Sequence, residues 1–235
     1  MFKKKNKLEY ISDPRQLIVH NDPKSPISEQ YRTIRTNIIF SAVDKEMKTI
    51  LLTSGAPNAG KSTTAANVAI AFAQTGKKTL LIDCDLRRPT MHYTFETTNT
   101  NGLSSAIVND INIQELIELT DIHNLHLLTA GPIPPNPAEL LQSFKMKNLM
   151  KTLEANFDFI IVDTPPALSV ADASILSDIV DGVLIVTNTK TNSRDELRKT
   201  KESLQKANAN ILGIVLNNKK MTTRDSYYYY YGGDK

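Results

Sequence analysis

Gly55-Ala56-Pro57-Asn58-Ala59-Gly60-Lys61-Ser62 fits G-x-x-x-x-G-K-[ST], a pattern that holds phosphate. Its two glycines let the backbone curl until the N–H groups surround phosphate oxygens, and the positive end of the following helix adds attraction. In that arrangement Lys61 reaches the β- and γ-phosphates, the Ser62 hydroxyl binds Mg²⁺, and the backbone from Gly55 to Thr63 lines the cradle. The pattern lies between an apolar run, Thr49 to Thr53, and a helical stretch beginning at about Ser62. An ordinary βα turn and a dinucleotide-binding turn are the alternatives. Asp83, about twenty residues downstream, suits the second, but G-x-G-x-x-G is missing, so a nucleoside triphosphate fits best.

A triphosphate site also needs carboxylates. The apolar run Phe159-Ile160-Ile161-Val162 delivers Asp163 to a strand end, where a magnesium-orienting acid is expected; the alternative is an acid that only opens the turn at Thr164-Pro165-Pro166. A second run, Thr79 to Ile82, ends in Asp83-Cys84-Asp85 with Arg87 and Arg88 just beyond. Side chains at i and i+2 of an extended segment point the same way. Two aligned carboxylates repel unless a cation or a task separates them. Asp83 is accordingly expected to face Mg²⁺ or its waters and Asp85 the attacking group. Arg87 and Arg88 neutralising the two acids is the plainer alternative, and Cys84, pointing the other way, is read as packing.

The elements that must position these groups are legible as well. Short, nearly continuous apolar runs recur at Thr49 to Thr53, Thr79 to Asp83, Leu125 to Thr129, Phe157 to Asp163, Val183 to Thr187 and Ile211 to Asn217, with amphipathic stretches such as Ser62 to Gln74 and Arg194 to Ala207 between them. Strands buried on both faces read this way, so an α/β fold is expected, a parallel sheet covered by helices on both faces. A leader over residues 1–25, one domain over 26–220 and a tail over 221–235 follow from where the pattern starts and stops. Ahead of the first strand a helix is expected from about Ser28 to Ala42. At about 100° per residue Glu29, Arg32 and Arg35 share an arc of about 120°, with Ile27, Tyr31, Ile34 and Ile38 on the packing side. Pairing of Glu29 with Arg32 on a solvated face is the simplest reading of that charge.

The chain has 235 residues, 40% apolar and 23% charged, with a formal charge of +3 and one cysteine. Disorder throughout and an internal disulfide are excluded. The longest greasy region, Ala167 to Thr187, is interrupted by Asp172, Asp178 and Asp181 and does not read as a membrane span. The mild charge gives no argument for nucleic acid. Lys3, Lys4, Lys5 and Lys7 read as a solvated start that rests weakly on anionic lipid at most. Of eight tyrosines five are consecutive, Tyr227 to Tyr231. Phosphate on even three of them would add roughly −4.5 to −6 charges, a large local change; a sticky flexible terminus or a base-stacking tail is the plainer alternative.

The P-loop, the LLIDCDLRRP segment, the FIIVDTPP strand, the terminal tyrosine cluster and Glu29-Gln30-Tyr31-Arg32-Thr33-Ile34-Arg35, which fits E-x-x-R-x-x-R, occur in one order. Together they resemble the bacterial tyrosine kinases that serve capsule and exopolysaccharide synthesis and export, over nearly the whole chain from about Pro23. The resemblance implies an ATP- and Mg²⁺-dependent protein-tyrosine kinase. It implies that Lys61, Asp83, Asp85 and Asp163 do the chemistry, that Ser62, Asp83 and Asp163 serve the metal, and that Asn217, or else Asn218, contacts adenine. Tyr227, Tyr228, Tyr229, Tyr230 and Tyr231 would be phosphorylated in trans by a neighbouring copy. Glu29, Arg32 and Arg35 would dock on that neighbour and build a ring. It further implies other tyrosine-bearing protein substrates, and a separate transmembrane activator whose cytoplasmic tail completes the site and recruits the kinase to the inner face of the membrane. Two alternatives are weighed: an ATP-gated assembly scaffold, and a spatial-regulator ATPase. The second usually carries a lysine after the first P-loop glycine, where this chain has Ala56.

Overall fold

A computed structural model describes residues 17–41, 47–109 and 111–219. Lys3, Lys4, Lys5, Lys7 and the tyrosines from Tyr227 to Tyr231 lie outside the described residues. In chain order the elements are α1 (Ile18–Asn21), α2 (Pro26–Ser41), β1 (Thr49–Ser54), α3 (Lys61–Ala73), β2 (Thr79–Asp83), α4 (Met91–Thr94), α5 (Leu103–Asn109), α6 (Ile113–Leu116) and β3 (Glu118–Leu119). They continue with β4 (Leu125–Leu128), α7 (Pro137–Gln142), α8 (Phe144–Asn156), β5 (Phe159–Asp163), α9 (Asp172–Leu176), β6 (Gly182–Asn188), α10 (Arg194–Lys206) and β7 (Ile211–Asn217).

The strands form one sheet in the order β3-β4-β2-β5-β1-β6-β7. All pairings are parallel except β3 with β4, where Glu118 opposes Leu127. Every residue of β1, β2, β5 and β6 is buried, the result their unbroken apolarity predicts. Alternate side chains of β1 feed opposite layers: Ile50 and Leu52 join α3 and α1, while Leu51 joins α5, α8 and α10. On the α3 side Phe72 stacks on Phe159 with ring centroids 3.7 Å apart. β1 lies between β5 and β6, and because the chain passes from β1 to β2 on one side and from β5 to β6 on the other, the carboxyl ends beside β1 form a switch point of the kind where ligands bind in open α/β sheets.

Three features depart from the sequence reading. The two-residue strand β3 runs antiparallel and is too short to leave an apolar signature. Residues 17–25, placed in the leader, contain α1, whose Val19 is fully buried. The Val19 N–H donates to Asn67 Oδ1 at 3.0 Å, and Gln74 Nε2 donates to the Val19 carbonyl at 3.0 Å, so this turn is fastened along α3. Finally α2 starts at Pro26, with the Ser25 hydroxyl accepting the Ser28 N–H at 3.1 Å. That start buries Ser28 and leaves Ile27, on the same side of α2 as Tyr31 and Ile34, 51% exposed. The Ser28 hydroxyl donates to the Asp22 carbonyl at 2.7 Å, which explains why a polar residue occupies that buried position.

Candidate functional site

The loop after β1 takes its shape from two left-handed residues, Asn58 with φ 61° and Gly60 with φ 91°. A side chain at Gly60 would be strained by that φ, and its Cβ would lie 2.0 Å from Asn217 Nδ2. At Gly55 a Cβ would meet Thr200 Oγ1 at 2.6 Å and the Glu196 side chain at 2.7 Å. Both glycines therefore permit a close approach between this loop and the β7 and α10 side of the fold. Asn217 Nδ2 donates to the Ala59 carbonyl at 3.0 Å, and its Oδ1 accepts the Asn218 N–H at 2.9 Å. The structure thus gives Asn217 a task that the sequence does not announce, pinning the turn of the phosphate loop.

Lys61 opens α3, and its ammonium collects the groups singled out by spacing. Lys61 Nζ lies 3.0 Å from Ser62 Oγ, 3.4 Å from Asp85 Oδ2 and 3.5 Å from Asp163 Oδ1. β2 and β5 are neighbours, with Asp83 paired in register to Asp163, so the sheet itself sets the spacing of the acids. The Cys84 N–H then donates to the Asp163 carbonyl at 2.8 Å, extending that register past the last strand residue. Cys84 is fully buried, and burial pushes its thiol well up, in keeping with packing.

The two acids of the DCD segment live differently. Asp83 is fully buried and spends its oxygens on backbone: Oδ2 accepts from Thr90 and Met91, each at 2.9 Å, and Oδ1 accepts from Asp85 at 3.1 Å. Burial first, then the neighbouring Asp163 charge, raises its carboxyl to about 7, against the pull of those N–H groups and Lys61. Asp85 keeps Oδ2 toward Lys61 while Oδ1 accepts the Arg88 N–H at 2.9 Å. Arg87 does not neutralise this pair by direct contact. It turns to Asp172, a fully buried acid of α9 that the sequence reading passed over. Its only trace in the sequence was as an interruption of the apolar stretch from Ala167 to Thr187.

The residues expected on the outer face of α2 do not act alike. Arg32 pairs with Glu29 one turn away, the plainer of the two readings, and Arg32 Nη2 also reaches Gln74 Oε1 at 3.4 Å. Arg35 Nη1 crosses to α3 and donates to the Ala71 carbonyl at 2.8 Å, and partial burial lowers its pKa. A groove of about 630 Å³ between α2 and β7 is lined by Ile27, Tyr31, Ile34 and Leu216 together with polar residues such as Gln30, Lys190 and Asn217. Among the described residues no helix is long and apolar enough to cross a membrane.

This geometry has close parallels. Residues 47–218 match a family model described as an AAA domain (AAA_31). The chain is 48% identical over 206 residues to the tyrosine-protein kinase YwqD of Bacillus subtilis (strain 168), covering 88% of this chain and 87% of that one. It is 45% identical over 201 residues to the putative tyrosine-protein kinase CapB of Staphylococcus aureus, covering 86% and 88%. Among solved structures, the chimerical protein CapA2B2 superposes with a TM-score of 0.84 at 49% identity, covering 87% of this chain and 90% of that one. The septum site-determining protein MinD of Pyrococcus horikoshii OT3, solved with Mg-ADP, shares the fold more distantly, at a TM-score of 0.63 and 26% identity over 76% of this chain and 73% of its own. With the phosphate loop, the paired acids and these likenesses in agreement, the chain belongs to the bacterial tyrosine kinases built on the P-loop NTPase fold.

Proposed function

We propose that this protein is an ATP-dependent protein-tyrosine kinase that phosphorylates the Tyr227 to Tyr231 cluster of a neighbouring copy and thereby regulates capsular or extracellular polysaccharide synthesis and export. The observation that carries the reading is the convergence on Lys61 Nζ of Ser62 Oγ at 3.0 Å, Asp85 Oδ2 at 3.4 Å and Asp163 Oδ1 at 3.5 Å. A lysine held at a phosphate loop by two carboxylates is poised to exchange them for phosphate oxygens when nucleotide arrives. The curled loop, whose Gly60 leaves no room for a side chain, fits a triphosphate. Ser62 and Asp163 suit a magnesium ion held chiefly through nucleotide oxygens, with Asp163 orienting its waters. When bound, that ion would neutralise charge developing between the β- and γ-phosphoryl groups.

In the reaction the phenolic oxygen of a tyrosine attacks the γ-phosphorus in line. The bond from that phosphorus to the β,γ-bridging oxygen breaks, and ADP leaves with the electron pair. The phenolic proton passes to Asp85. A phenol of pKa ~10 is hard to deprotonate in advance, but a loose transition state needs the proton removed only late, so a weak base suffices. Lys61 follows the γ-phosphoryl oxygens. The buried, backbone-bonded Asp83 would act through the shape of the loop and the local field more than by touching substrate, with any part in ordering magnesium waters taken through Asp163. Asn217, beside the loop, would meet the adenine edge.

The reading extends to assembly. Glu29, Arg32 and Arg35 would form the contact by which copies close into a ring, and a transmembrane activator with a cytoplasmic tail would recruit the kinase to the inner membrane face. The family likeness and the half-exposed charged face of α2 support this. Incubation with Mg²⁺, ATP and the activator tail, followed by mapping of modified residues, tests the proposal. Phosphate on the tail tyrosines is expected. Phosphate release with no tyrosine marked would overturn the kinase reading in favour of a plain ATPase. If a chain with Tyr227, Tyr228, Tyr229, Tyr230 and Tyr231 all changed to Phe still incorporates phosphate on tyrosine at the parental rate, the tail is not the acceptor.

A further inference from the structure

Asp85 can receive a proton only if its carboxylate is held at a fixed place beside the phosphate loop, and the segment that carries it is not a strand. Residues 83–91 fold largely on their own acids, through the Thr90 and Met91 N–H groups to Asp83 and the Arg88 N–H to Asp85. The bonds to Asp83 anchor the segment on the end of β2, and the fully buried Leu86 and Met91 pack it on the core. Two further ties flank Asp85 itself. The Cys84 N–H holds the Asp163 carbonyl at 2.8 Å. On the other side the Arg87 guanidinium grips Asp172 with two bonds, Nε to Oδ2 at 2.9 Å and Nη2 to Oδ1 at 3.0 Å. Both ties end on the stretch from β5 to α9, which also carries Asp163.

The second tie is of an unusual kind for an arginine whose side chain is 37% exposed, because its partner is 0% exposed. A forked guanidinium bound to both oxygens of a carboxylate fixes rotation as well as distance, which a lysine at the same site would not do. A carboxylate buried so completely cannot swing to another partner in water, so the arginine is drawn to one place. The pKa of Arg87 is raised, first by the hydrogen bond to Asp172, with the Asp85 charge contributing as well, which places the guanidinium within the field of the candidate base.

We propose that Arg87 and Asp172 are a positioning pair that ties the Asp85 segment to the β5–α9 segment and holds the Asp85 carboxylate where a tyrosine phenol must give up its proton. The inference rests on the kinase reading and adds to it two residues that touch neither nucleotide nor phenol. A pair that served folding alone would leave turnover untouched whenever the fold survived, and that difference is measurable.

Arg87→Lys keeps the charge but loses the fork, and Asp172→Asn removes the buried charge so that no unpaired carboxylate is left behind. For each, the kcat of tyrosine phosphorylation is expected to fall about 10-fold or more, since a displacement near 1 Å can cost up to about 100-fold. The KM for Mg·ATP should stay within about twofold, because uniform binding is not what the pair supplies. Melting temperature should change little. The double variant should be no slower than the slower single one, as expected when two changes break one interaction. The fraction of turnovers ending on tyrosine instead of water should drop, because a bulky phenol tolerates a displaced base less well than water does. The unaltered chain is run beside them. If it marks no tyrosine, the kinase reading fails and this inference falls with it. If it does, and Arg87→Lys matches its kcat, or kcat falls only in step with melting temperature and KM, the positioning role alone is overturned.

Discussion

Two sets of ion pairs lie at opposite ends of the range of exposure in this molecule. On α10 Asp195 lies 2.6 Å from Arg198 and 2.8 Å from Lys199, with all three side chains more than half exposed. At the phosphate loop Lys61 lies 3.4 and 3.5 Å from Asp85 and Asp163, with exposures of 12%, 9% and 0%. The looser pairs matter more. In water the close pairs of α10 are screened, and they cost side-chain freedom to form. At the rim the low dielectric makes every charge depend on its neighbours, and Asp83 records this, with its carboxyl raised to about 7 while Asp195 is lowered to about 2. Distance alone does not rank electrostatic contacts; burial decides whether they shape chemistry.

The rim depends most on Lys61, the shared partner of Asp85 and Asp163. Lys61→Met should abolish nucleotide binding and tyrosine phosphorylation together, and it leaves Asp85 and Asp163 facing each other without a cation; fluorescent-nucleotide titration and phosphotyrosine blotting read both losses. Asp85→Asn should separate them. Phosphorylation is expected to fall about 100-fold or more, the usual contribution of a positioned base, with nucleotide affinity changed little. Equal loss of affinity and turnover would instead mean that Asp85 serves only to hold Lys61. Next comes Asn217→Ala, which removes the 3.0 Å bond to the Ala59 carbonyl. One lost hydrogen bond of about 1 kcal/mol predicts a roughly fivefold weaker nucleotide affinity, checked by the same titration.

How far the sequence displays this contrast depends on the range of the interactions involved. The loop from Gly55 to Ser62 is local, because strand, glycines and helix start are contiguous, and the fold follows from strands whose apolarity has no gaps. Asp163 was legible from its strand end, since parallel strands deliver their last residues to one rim, and Asp85 from its place two residues past the end of β2. The Arg87 contact was not, because Arg87 and Asp172 are brought together across the sheet's rim and nothing near either names the other. The backbone duties of Asp83 stayed hidden for a related reason: alternation gives the direction of a side chain but not what the following turn folds over it. Asn217 was legible as a strand end but not as a partner of Ala59. The short antiparallel β3 and the docking of Val19 against α3 are set by tertiary contacts that overrule polar local sequence.

The pH dependence of stability sharpens the same contrast at moderate size. A carboxyl raised in the folded state contributes stability that is complete below its unfolded pKa and lost as pH rises through the folded value. For Asp83 that window runs from about 3.8 to about 7. Thermal melts in EDTA should therefore show the melting temperature falling as pH is raised from 5 to 7.5, a slope that Asp83→Asn flattens. Adding magnesium and nucleotide should oppose the decline by supplying a cation near the acids. A melting temperature that rises steadily over the same range would show that Asp83 is ionised throughout.

The smallest effect is expected on α10, although its ion pairs are closer than those of Lys61. Asp195 is lowered to about 2, first by its hydrogen bond to Lys199 and then by that to Arg198. By the sign of that shift, any stability it lends is present above pH 3.8 and lost as pH falls toward 2, opposite to Asp83. Its exposure lets water and salt screen the attraction, and the Ser193 hydroxyl that accepts the Glu196 N–H at 3.1 Å caps α10 independently. Asp195→Ala should leave melting temperature at neutral pH and tyrosine phosphorylation unchanged within error, at low salt as at high. A clear loss at low salt that vanishes at high salt would mean that the α10 network acts as a unit on the adjacent loop, through Glu196 and Thr200 beside Gly55, and the division between a silent surface and a responsive rim would have to be redrawn.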